Sequence, residues 1–116
     1  MLGSLYGVNA QTTARVDRKT KEFFIPANPK AEFRIYGYQY PNITTRKVIC
    51  FSTYNYDVSD NLCKCQLGSY FNTGFMKEGD RIVYLGMVGP FAKMNFISGN
   101  GKKTIFYLQK SSFTMK

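Results

Sequence analysis

Arg34, Tyr36 and Tyr38 stand two residues apart in a β-prone run, so an extended strand carries a guanidinium and two phenol rings on one face. A guanidinium neutralises phosphate, and a half-exposed tyrosine offers a flat π face on which a nucleobase stacks. The same pairing of charge and ring recurs along the chain. Arg46 and Lys47 enter the next β-prone run, and Tyr54 and Tyr56 lie at its exit. Phe91, Lys93, Phe96, Lys102 and Lys103 gather rings and ammonium groups around a glycine-rich tip. These are the candidate nucleic-acid-binding residues. Each also has a plainer role open to it: Tyr36 and Tyr38 in a second small core or a subunit interface, Arg46 and Lys47 at a solvated strand end, Phe96 in ordinary hairpin packing.

Other chemistry finds less support. The chain contains no His, so a histidine base is excluded, and its seven carboxylates show no paired spacing for acid–base work. A Cys nucleophile lacks an imidazole partner. Cys63-x-Cys65 supplies two thiolates, but Cys50 is the one further cysteine, too few for a closed zinc site without a carboxylate or a second subunit. No enzyme activity, cofactor or metal is therefore expected. The odd number of cysteines and the absence of a secretory signal in MLGSLYGV point to thiols in a reducing, cytoplasmic compartment. No run approaches the roughly 18 apolar residues of a membrane helix, so no membrane partner is expected.

Sixteen Lys and Arg against seven Asp and Glu give a formal charge of +9. Such a domain repels itself unless an anion is near, and a phosphate backbone is the commonest polyanion. Ten Phe fit a core of this size, whereas nine Tyr hydroxyls are harder to bury, so several tyrosines belong at the surface.

The elements that must position these groups are short strands. At 116 residues the chain has room for a single domain over residues 1–116. Residues 1–8 alternate loosely and suit a first strand; Asp17-Arg18-Lys19 marks a turn, and residues 21–25 form a short β run closed by Pro26 and Pro29. Residues 31–40 alternate clearly, with Phe33, Ile35 and Gly37 opposite Glu32, Arg34, Tyr36 and Tyr38. Residues 45–56 read as a central strand. Between residues 57 and 75 the β signal fades, and Ser59 or Asp60 suits the cap of a short helix ending at Gly68. Glu78-Gly79-Asp80 turns into an apolar strand bent at Gly86 and ended by Pro90. Residues 93–97 and 102–109 pair as a hairpin across Ser98-Gly99-Asn100-Gly101. Five to seven short strands, glycine bends and at most one short helix predict an all-β domain.

The stretch Lys77-x-Gly79-Asp80-Arg81-Ile82-Val83-Tyr84-Leu85-Gly86, followed by Asn100-Gly101-Lys102-Lys103 and a closing strand, resembles the fourth and fifth strands of the single-stranded DNA-binding protein family. It is also similar to the related primosomal replication protein B. Phe33-Arg34-Ile35-Tyr36 then stands for the family's second strand and Arg46 to Thr53 for its third. The resemblance covers about half the chain well, and it implies a small five-stranded OB-type barrel that binds a single strand across its second and third strands. It further implies largely sequence-independent single-stranded DNA binding in replication, recombination or transfer, alongside replication proteins, and a homodimer or homotetramer. Three departures mark a divergent member, such as a phage, plasmid or mobile-element protein. Where bacterial members carry an acidic Gly-rich tail the chain stops at Phe113-Thr114-Met115-Lys116; it has no Trp, leaving stacking to Tyr and Phe; and residues 57–75 are irregular and cysteine-rich. RNA would use the same face. The competing reading is a β-rich protein-interaction or viral assembly module whose basic, tyrosine-rich face docks an acidic partner.

Overall fold

The computed structural model describes residues 14–26, 32–71 and 77–115. The strand expected over residues 1–8 and the Pro29 end of the proline loop lie outside them. The described residues form nine strands, one short helix and a single 3-10 turn, Lys110–Ser112. The strands are β1 (Arg15–Val16), β2 (Phe23–Phe24), β3 (Arg34–Tyr38), β4 (Lys47–Ser52), β5 (Ser69–Tyr70), β6 (Arg81–Val88), β7 (Phe91–Ile97), β8 (Lys103–Gln109) and β9 (Thr114–Met115); helix α1 spans Asn55–Asp60.

Two mixed sheets result. The smaller runs β2-β1-β9, with β1 and β9 parallel; the larger runs β5-β4-β3-β8-β7-β6, with β4 and β5 parallel and its other neighbours antiparallel. Among the described residues neither sheet closes on itself, so the all-β class holds while the five-stranded barrel expected from the resemblance is not formed. The edge strands account for this. β5 pairs with β4 over two residues, and β6, at the opposite edge, meets the segment just before β2 through a single isolated bridge, Glu22 to Val83, with Tyr84 N–H donating to Lys21 O at 2.8 Å.

Alternation places the core. Ile35, Ile49, Phe51, Ile82, Ala92, Met94, Phe96, Phe106 and Leu108 point inward from the large sheet. They meet Val16, Phe23, Ile25 and Phe113 from the small sheet and its flanks. Gly37 on β3 sits under side chains from the flanking strands β4 and β8: a Cβ there would lie 2.4 Å from Phe106 Cδ2 and 2.6 Å from Ile49 Cγ2. A period of two with one face buried fixes the register, because a one-residue slip would turn this whole set outward.

The helix differs from expectation. It ends at Asp60, with Asn61 in the left-handed region as its C-cap, rather than beginning at Ser59 or Asp60 and running to Gly68. The reason lies in Asp57. Its carboxylate is drawn to Ser52 and Arg34, which anchors the first turn against β4 and β3.

Candidate nucleic-acid interface

The outer face of the large sheet, opposite the core, carries most of the residues singled out by sequence. Register places them in rows. Lys93 on β7 pairs with Tyr107 on β8, Tyr107 with Tyr38 on β3, and Tyr38 with Lys47 on β4. Neighbouring strands lie about 4.8 Å apart, so the row Lys-Tyr-Tyr-Lys spans about 14 Å. Tyr36 lies two residues along from Tyr38, and the Lys47 ammonium sits 4.6 Å from its ring centroid. Lys103 shares this face one strand step beyond Ile105. The strands of the large sheet contain Arg34, Lys47, Arg81, Lys93 and Lys103, and not one Asp or Glu. Nothing on these strands therefore repels a polyanion.

Arg34 is held by its own chain. Its Nε donates to Asp57 Oδ2 at 2.6 Å and its NH2 group to Tyr56 Oη at 3.0 Å, while the guanidinium lies 4.8 Å from the Tyr54 centroid and 5.9 Å from that of Tyr56. The buried Ser52 hydroxyl donates to the same Asp57 oxygen at 2.7 Å. That bond first, then Arg34, holds the Asp57 carboxyl below the ordinary range; Asp57 in turn raises the already high pKa of Arg34. Arg34 thus organises a cluster with Tyr54 and Tyr56 and brings its charge to the face already paired.

Three of the rings expected to stack are not offered to solvent. Tyr38 and Phe91 are buried and meet edge to face, centroids 6.5 Å apart, while Tyr36 packs edge-on to Tyr38 at 6.4 Å. Burial pushes the Tyr36 and Tyr38 hydroxyls up. Phe96 belongs to the main core, because it lies on the inward parity of β7 with Ala92 and Met94. Tyr38 and Phe91 therefore pack against their neighbours on the outer face, and Phe96 lies on the opposite one. Among the rings of β3, β8 and the Arg34 cluster, those with accessible area are Tyr36, Tyr54, Tyr56 and Tyr107; Tyr40, just past β3, is exposed as well. Tyr107 is not among the residues singled out by sequence, although alternation over residues 102–109, with Phe106 and Leu108 inward, is the signal that finds it.

Arg46 is exposed before β4, where Gln39 N–H donates to its carbonyl at 2.8 Å. Lys102 is exposed in the β7–β8 hairpin, which is fixed from below. Gly99 N–H donates to Asp80 Oδ1 at 2.8 Å, and a Cβ on Gly99 would come within 2.9 Å of Glu78 O. The Glu78-Gly79-Asp80 turn and the hairpin tip thus dock backbone to backbone.

The cysteines depart from expectation. Cys63 and Cys65 are joined as a disulfide across Lys64, so they are not thiols. Cys50 is a buried thiol on the outer-face parity of β4, beside Tyr36 in register; burial, then Asp57, pushes it up to about 11. No group of three or more Cys, Asp or Glu among the described residues is arranged to hold a metal ion, and no helix among them is long and apolar enough to cross a membrane.

No family model, no curated protein and no solved structure matches this chain.

Proposed function

We propose that the protein binds single-stranded nucleic acid, largely without regard to sequence, on the outer face of the large sheet. The observation that carries this is the row Lys93-Tyr107-Tyr38-Lys47 across strands that bear no carboxylate. Cations at both ends of a tyrosine row suit a strand whose phosphates track the edges while its bases meet the rings. Tyr36 and Tyr107 are the stacking surfaces, with Tyr54 and Tyr56 extending them. Lys47 rests over Tyr36 in the free protein, and an arriving phosphate draws it aside as a base takes its place.

A divergent relation to the single-stranded DNA-binding protein family is part of the same proposal. It is supported by the Lys77-x-Gly79-Asp80 turn, closed by Asp80 N–H donating to Lys77 O at 3.0 Å. The β6 irregularity at Gly86 and the hairpin at residues 98–101 add to that support. Roles in replication, recombination or transfer of a mobile element rest on this relation alone.

The test is titration of single-stranded and duplex oligonucleotides of equal length, followed by tyrosine fluorescence. Tighter binding of the single strand with quenching is expected. Equal affinity for both forms, or no binding beside tight association with an acidic protein, would overturn the proposal.

A further inference from the structure

β6 is the edge strand of the large sheet, and its free side is covered for only part of its length. Lys21 and Glu22 reach Tyr84 and Val83; from Leu85 onward no strand among the described residues pairs with it. On that uncovered length Leu85 is 50%, Met87 41% and Val88 41% exposed, and the Gly89-Pro90 turn that follows is exposed too. Natural edge strands are commonly blunted by lysine, by an inward charge or by a covering loop. Here residues 82–92 contain no charged side chain at all, in a chain of formal charge +9.

We propose that the β6 edge from Leu85 to Val88, with the Gly89-Pro90 turn, is the interface at which two copies of this chain form a dimer. The charge pattern selects the occupant. An acidic partner would find no cation there to attract it, whereas two strongly basic bodies approach most easily where neither presents Lys or Arg. A short apolar edge is self-complementary about a two-fold axis, so the contact closes at two copies. The register irregularity between Tyr84 and Gly86 interrupts the ladder and confines pairing to this short stretch. The large sheet's outer face stays outside the contact, and each dimer then presents two platforms.

The interface is independent of the strand-binding proposal, and salt separates the two. Salt screens repulsion between the copies and strengthens the dimer, whereas it weakens binding to a polyanion. Sedimentation equilibrium of the full chain at low and high salt is expected to show reversible monomer–dimer exchange. Its midpoint falls as salt rises, and no larger species appears. Leu85→Lys with Met87→Lys sets like charges face to face across the axis and keeps the chain monomeric about tenfold above the wild-type midpoint. Met87→Lys alone, a milder change, shifts the midpoint upward, and circular dichroism checks that both variants fold. Ile105→Lys, on the outer face of β8, leaves dimerisation intact. A wild-type chain that stays monomeric at every concentration and salt overturns the proposal, as does a folded Met87→Lys variant that dimerises like wild type. So does loss of the dimer in Ile105→Lys, or a monomer whose apolar edge instead drives uptake onto anionic phospholipid vesicles.

Discussion

In the proposed binding mode, salt dependence separates the cations from the rings, and the geometry gives its size. Five of the candidate cations are at least partly exposed and carry no ion pair among the described residues: Arg46, Lys47, Lys93, Lys102 and Lys103. Arg34 is excluded from the count because Asp57 already neutralises it. Each phosphate neutralised on a single strand contributes about −0.7 to the slope of log affinity against log salt, so five contacts give about −3.5. Raising salt from about 50 to about 200 mM should then weaken binding about 130-fold. Lys47→Gln removes one contact, which brings the slope to about −2.8 and the loss to about 50-fold. Tyr36→Ala should do something different: lower affinity about 5- to 150-fold, the equivalent of a stack worth about 1–3 kcal/mol, and leave the slope unchanged. Fluorescence anisotropy of a labelled oligonucleotide across a salt series measures all three proteins. A slope near zero in wild type refutes the phosphate track. A slope that Tyr36→Ala flattens and Lys47→Gln leaves alone refutes the division of labour between ring and ammonium.

Asp57 makes stability depend on pH in a definite sense. Its folded-state pKa lies below the ordinary aspartate value of 3.8, so its contribution is fully present above that value and is lost as pH falls through the lower folded value. Urea midpoints across the acid range should fall accordingly, and Ser52→Ala, which deletes the largest cause of the shift, should flatten that fall. Gly37→Ala forces a methyl against Phe106 and Ile49, and overpacking of that kind costs about 1–3 kcal/mol by chemical denaturation. Phe96→Leu should lower the thermal midpoint while leaving oligonucleotide affinity unchanged, because its ring lies in the core. A chromogenic disulfide reagent at mildly alkaline pH should find no reactive thiol in the native protein and one, Cys50, after unfolding.

What the sequence makes legible is whatever its local period encodes. Arg34 and Tyr36 fall opposite Phe33 and Ile35 because a strand with one buried face alternates, and the same logic places the Gly79 turn, the Gly86 irregularity and the hairpin at Asn100. What escapes it depends on partners distant in the chain. Tyr38 has the pattern of a surface ring but is buried by Phe91, from another strand. Ser59 and Asp60 have the composition of a helix start, yet Asp57's attachment to Arg34 and Ser52 sets the helix one turn earlier. Barrel closure depends on whether β5 and β6 find each other across the core, and no local pattern specifies that pairing. Cys63 and Cys65 resemble free thiols by number alone, while their spacing leaves room for a ring closed across Lys64.

The docking of Gly99 on the Glu78-Gly79-Asp80 turn also bears on entropy. A hairpin tip that hangs free must be frozen when it grips a ligand, and each rotamer-rich side chain immobilised costs about 0.5–1.5 kcal/mol besides the backbone. Here the Asp80 carboxylate and two touching glycine backbones have already fixed the loop that carries Lys102 and leads to Lys103. Two side-chain-free positions thereby turn an exposed loop into a rigid mount, and the ordering that a bound strand would otherwise have to impose is done when the protein folds.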